Sequence, residues 1–129
     1  MIAPADESDI RRLIASNAHL VDKRDPELIV AQFAEDATFI VAGNEIRGQA
    51  GLRAFFSQPS TNPGVNRHFV MSPVLVAESA NRVTATAYFK LLRKTDADWI
   101  VAKVGRYEDV IERQADKSWR FQTRRIIFD

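Results

Sequence analysis

Two hydrophobic periodicities occur in this chain, one after the other. Roughly the first sixty residues repeat apolar side chains at helical spacing, and roughly the last sixty alternate them along unusually long strands. Helices followed by strands imply an α+β fold, one antiparallel sheet with helices packed on one face. The strand lengths narrow this further. Runs over Arg67 to Glu78, Arg82 to about Lys94, Trp99 to Arg113 and Ser118 to Phe128 far exceed the usual five or six residues, so the sheet must twist and bend. A strongly curved sheet with three helices on its concave side is a cone, and a cone encloses a pocket.

Bulk properties exclude several function classes. At 129 residues the chain is long enough for one independent core, and no repeat, low-complexity tract or linker divides residues 1–129. Net charge is +1, so no bulk field recruits nucleic acid or anionic membrane. The absence of cysteine removes disulfides and thiolate chemistry and fits a reducing compartment. Met1 to Ser8 lacks the basic start and apolar run of a signal peptide, and no apolar stretch approaches the ~18 residues of a membrane span. The expectation is a soluble cytoplasmic protein.

The first helix is predicted from about Asp6 to Arg24, with Ile10, Leu13, Ile14, Ala18 and Val21 on one side. It stops before Asp25, which precedes a proline. Asp25-Pro26-Glu27 then reads as cap, first-turn proline and first-turn acid of a short second helix, Pro26 to about Ala34. Ala37 to Ala42 is a strand, Gly43-Asn44 a tight turn, and Glu45 to Arg47 its return. A third helix covers about Gln49 to Ser57, and a loop runs on through Asn66. Pro73 marks an edge position or a bulge, and Ala115-Asp116-Lys117 the last turn.

One acid and one histidine stand out. Asp22 lies on the flank of the apolar stripe, in the last turn of helix one, where the helix dipole disfavours negative charge. It is either a solvated aspartate balanced by Lys23 and Arg24 or a perturbed acid with a task. His68 opens the first long strand and is either a strand-end histidine or a base held in one tautomer by a carboxylate. His19 would complete a two-histidine, one-carboxylate metal set. However, it projects opposite the apolar stripe, and no metal-ligand motif such as HExxH accompanies it, so neither a metal nor a cofactor is expected.

On the third long strand, Lys103, Tyr107 and Asp109 share a face, an odd set unless that face lines a polar cavity. Arg124 and Arg125 point to opposite faces, so one must turn inward. Trp99, Trp119 and Phe121 are expected in the core or at an interface. No phosphate loop and no G-x-S-x-G elbow is present.

These residues together resemble the SnoaL-like members of the nuclear-transport-factor-2-like superfamily. The carriers are Asp22 and Asp25, Phe33-Ala34-Glu35-Asp36-Ala37, Arg47-Gly48, His68, Gly105-Arg106-Tyr107-Glu108-Asp109 and Asp116-Lys117-Ser118-Trp119-Arg120-Phe121. The nearest catalytic pattern is similar to the group of scytalone dehydratase and hexachlorocyclohexane dehydrochlorinase. The resemblance implies that His68 removes a carbon-bound proton while Asp22 orients it, with Tyr107, Arg124 and Asn17 near substrate-binding positions. Val21 replaces the dehydratase tyrosine, and its second histidine has no counterpart. A ketosteroid-isomerase-like reading fails, because the helix-one tyrosine and the base of that group fall on Asn17 and Val41.

The resemblance therefore implies a cofactor-independent lyase or isomerase for a small hydrophobic cyclic or polyketide-like ligand. The alternative is a ligand-binding or assembly module like the small subunit of a ring-hydroxylating dioxygenase, which would bring a larger partner. In either case the exposed sheet face implies a homodimer.

Overall fold

The computed structural model describes residues 1–60 and 64–129; part of the loop expected before Asn66 lies outside them. Helix α1 spans Pro4–Lys23, α2 Pro26–Val30 and α3 Gly48–Phe56. The strands are β1 Phe33–Val41, β2 Asn44–Arg47, β3 Asn66–Ser79, β4 Arg82–Lys94, β5 Trp99–Arg113 and β6 Trp119–Phe128. They form one curved six-stranded sheet in the order β2-β1-β6-β5-β4-β3. Every neighbouring pair is antiparallel except β1 and β6, which run parallel.

Helix α1 buries Ile10, Leu13, Ile14, Asn17 and Ala18, the stripe read from the sequence plus one polar residue and less Val21, which is half-buried. It ends at Arg24 in the left-handed region, φ 56°. Asp25 then caps α2 by accepting from the Leu28 N–H at 3.2 Å, with Pro26 in the first turn as expected. Helix α2 is four residues shorter than its pattern suggested, because the chain is recruited early into the sheet. The Gln32 carbonyl accepts the Phe121 N–H at 2.9 Å, and Phe33 pairs with Phe121.

The first hairpin turns on Ala42-Gly43, one residue earlier than expected, since Val41 pairs with Asn44. Both turn residues have positive φ, 50° and 79°, the primed turn whose twist suits adjoining strands. Pro73 is both at an edge and at a bulge. Strand β3 ends the sheet, and its register shifts between Met71 and Val74.

The core lies between the helices and the sheet's inner face. Ile10, Ile29 and Leu52 meet Phe33, Val83, Ile111, Trp119 and Phe121, all buried. Each such side chain contributes about 1.5–3 kcal/mol by leaving water. Trp119 and Phe121 are core residues as expected, whereas Trp99 is 44% exposed and lies under the Arg67 guanidinium. Among the described residues no helix is long and apolar enough to cross a membrane.

Candidate active site

Asp22 and His68 meet. The carboxylate oxygen Oδ1 lies 2.7 Å from the His68 ring Nδ1, and the carboxylate also accepts the His68 backbone N–H at 3.0 and 3.1 Å. The two side chains are 12% and 19% exposed, so this contact is largely withdrawn from solvent. An ionised carboxylate only accepts hydrogen bonds, so Nδ1 carries the proton. In the neutral imidazole this tautomer leaves Nε2 bare, as a base requires. The charge that α1 disfavours at its C-terminal end is satisfied instead by two donors from β3.

His68 borders a cavity of about 150 Å³ inside the cone. Val21, Phe33, Phe39, Val41, Phe55, Phe56 and Ile126 form its apolar wall, and Asn17, Tyr107 and Arg124 supply polar groups. Phe33, Phe39, Phe55 and Phe56 pack ring against ring with centroids 5.1 to 6.3 Å apart. On the other side the dyad borders a more polar cleft of about 300 Å³ that includes His19, Lys23, Arg67 and Phe69. The dyad thus stands between the interior and solvent.

The cavity floor comes from strand register. Asp109 pairs with Arg124 and Tyr107 with Ile126 across β5 and β6, placing all four side chains on the inner face. The opposite β4 positions are Ala85 and Ala87, small enough to leave room for these groups. Arg124 is 2% exposed, and its guanidinium lies 3.7 Å from the Tyr107 ring centroid and 4.5 Å from that of Phe121. Its Nη1 donates to Asn17 Oδ1 at 2.6 Å. Its Nε lies 3.1 Å from Asp109 Oδ1, an ion pair whose N–H is not aimed at the oxygen. Asn17 in turn donates to Gln32 Oε1 at 3.0 Å, and Gln32 to Ser16 Oγ at 2.9 Å.

Burial pushes the Asp109 carboxyl up to about 6, against the pull of Arg124. Burial also pushes the Tyr107 phenol up; Arg124 opposes the shift, and Asp109 and Asp22 add to it. Tyr107 therefore remains a neutral O–H donor at physiological pH.

A family profile for the SnoaL-like domain matches residues 4–125. The chain belongs to the SnoaL-like family. No curated protein matches it closely enough to count as a relative. Solved structures similar to this SnoaL-like domain include an NTF2-like protein with a cystatin-like fold from Novosphingobium aromaticivorans, 22% identical, TM-score 0.86, covering 96% of this chain and 82% of that one. A candidate scytalone dehydratase from the same organism is 15% identical, TM-score 0.83, with coverages of 97% and 85%. ActVI-ORFA from Streptomyces coelicolor is 21% identical, TM-score 0.84, with coverages of 95% and 96%. At these identities the likeness establishes the shared NTF2-like fold.

All five residues singled out in the sequence lie at this site: Asp22 with His68, and Asn17, Tyr107 and Arg124 around the cavity. Arg124 is the inward member of its pair, and Arg125 is exposed. His19 is exposed on the outer cleft, and among the described residues no three His, Cys, Asp or Glu side chains are grouped to hold a metal. Lys103 does not share the cavity with Tyr107 and Asp109. It is exposed, with Nζ 4.4 Å above the Phe128 ring, because β5 runs past the end of the core. Sequence reasoning missed Gln32 and the phenylalanine wall. Phe55-Phe56 at the end of a short amphipathic helix was the available signal for the wall.

Proposed function

We propose that this SnoaL-like domain is a cofactor-independent lyase or isomerase acting on a small hydrophobic cyclic molecule. The supporting observation is the grip of Asp22 on His68 Nδ1, which leaves Nε2 as the open ring nitrogen beside an aromatic cavity. In this reading Nε2 takes a carbon-bound proton from the ligand, and the electron pair left behind moves into the adjacent bond. It then forms an enolate, if a carbonyl is adjacent, or expels a leaving group. Asp22 stabilises the resulting imidazolium, and the Tyr107 O–H and Arg124 N–H groups stabilise charge on the ligand oxygen. The proton on Nε2 is returned to a second carbon in isomerisation or to the departing oxygen in dehydration. The similarity to a candidate scytalone dehydratase supports this class of reaction without naming a substrate.

Proton abstraction is tested with 2-tetralone, a cyclic ketone with acidic carbon-bound protons, by following deuterium incorporation in D2O by NMR. The wild type should accelerate exchange, and His68→Gln should remove about 10²–10⁴-fold of that rate. Asp22→Asn should also fall, with the proton distribution between the two His68 nitrogens altered in long-range ¹H–¹⁵N spectra. Exchange at one common rate in wild type, His68→Gln and buffer would refute the reading.

A further inference from the structure

The cavity holds a buried cation that is already neutralised yet not fully bonded. Arg124 Nη1 is taken by Asn17 and Nε faces Asp109, but Nη2 is buried with no hydrogen-bond partner among the described residues. The rings of Tyr107 and Phe121 cover the guanidinium plane, so its unused donors lie along the edge. A buried N–H without a partner is costly, and Arg124 lines the cavity, so a ligand oxygen brought against this guanidinium is favoured.

The charges around Arg124 decide which oxygen. Asp109 faces it from β5, and on that strand the other titratable neighbour is Tyr107. Helix α1 contributes Asp22 to this surrounding and neutral Asn17 to the guanidinium, while β3 contributes His68 and β4 presents Ala85 and Ala87. With neutral His68, two carboxylates stand against one guanidinium, so a ligand carboxylate would enter a site that is already net negative.

We propose that Asp109 sets the charge class of the ligand: by neutralising Arg124 it makes the free guanidinium edge a site for a neutral carbonyl oxygen and excludes carboxylates. Asp109 is then a specificity-determining residue that acts through Arg124 and does not touch the reacting carbon. The inference rests on the cavity being the ligand site proposed above, but its test reads binding alone. Selectivity without turnover would leave it standing while the lyase reading fails, and the reverse would separate them equally.

Acetophenone and benzoate are near-isosteric single-ring probes that differ in charge, and a cavity of this volume accommodates one ring. Calorimetry on the wild type near neutral pH should show acetophenone binding about tenfold or more tighter than benzoate. In Asp109→Asn, benzoate should gain about tenfold while acetophenone changes by roughly twofold or less. Equal affinities in the wild type, an unchanged ratio in Asp109→Asn, or no binding of either probe would overturn the proposal.

Because Asp109→Asn leaves a buried guanidinium unpaired, a second arm uses His68→Gln, which retains Asp109. There benzoate should tighten as pH falls from 8 to 5, with about one proton taken up in paired-buffer calorimetry at pH 7 to 8, where Asp109 starts ionised, while acetophenone stays flat. Benzoate binding at pH 7 to 8 without proton uptake would overturn the proposal as well.

Discussion

Asp109 is charged at a disadvantage. It is 4% exposed, and burial holds its carboxyl near 6 although the Arg124 guanidinium is adjacent. In the unfolded chain the same carboxyl titrates near the ordinary 3.8. Between those values the folded state holds more proton than the unfolded state, so this residue makes stability fall as pH rises from about 4 to about 6, then level off. Urea unfolding across that window should show the fall in the wild type and its loss in Asp109→Asn. Asp6 and Asp116 have carboxyls held low by Arg113 and Ser118, respectively, so their contributions disappear only at more acidic pH. The pairing of Asp22 with His68 was legible from its conflict with the helix dipole together with the family resemblance. The route from Asn17 through Gln32 to Ser16 was not, because it joins helix α1 to a residue between α2 and β1 that carries no periodic signal.

At the scale of an element, β5 shows how the cavity floor depends on one missing side chain. Gly105 lies against the Ile127 carbonyl oxygen of β6, and a Cβ there would also come within 2.9 Å of the Phe89 ring. That ring stacks on Tyr107 at a centroid distance of 4.7 Å, so an added methyl pushes on the floor. Gly105→Ala should destabilise the fold by about 1–3 kcal/mol in urea unfolding. The strands themselves were legible because their alternation is long, and α1 because its stripe is regular. The end of α2 was not. Phe33 and Ala34 continue the apolar pattern of α2, yet Phe33 pairs with Phe121 on β6 and the Gln32 carbonyl accepts the Phe121 N–H, and pairing across such a separation leaves no local trace. The parallel union of β1 with β6 was hidden for the same reason, since each strand alone fits either direction.

At the scale of the molecule, the sheet's outer face is unusually apolar. Phe69, Met71, Val74, Val76, Tyr88, Val101 and Val104 are all more than a third exposed. Arg82 pairs with Glu78 and Glu112 and Arg106 with Glu108, while the Lys90 ammonium lies over the Phe69 ring, so the exposed apolar area would favour a second copy of this face as its cover. Light scattering should therefore give twice the 14.6 kDa chain mass, and Val76→Glu with Val101→Glu should return the monomer. A wild-type monomer would refute self-association. The Asp22 contact has a consequence for descent. One oxygen pair clasps both the main chain and the ring of an edge strand 46 residues away, so the acid fastens the first helix to the last strand of the sheet. Under the proposed reading, a lineage without base chemistry would still be selected to keep this aspartate for its grip on the backbone, while the imidazole would be free to drift. Among relatives, histidine at the position of His68 would then be the better sign of that proposed activity, and aspartate alone records architecture.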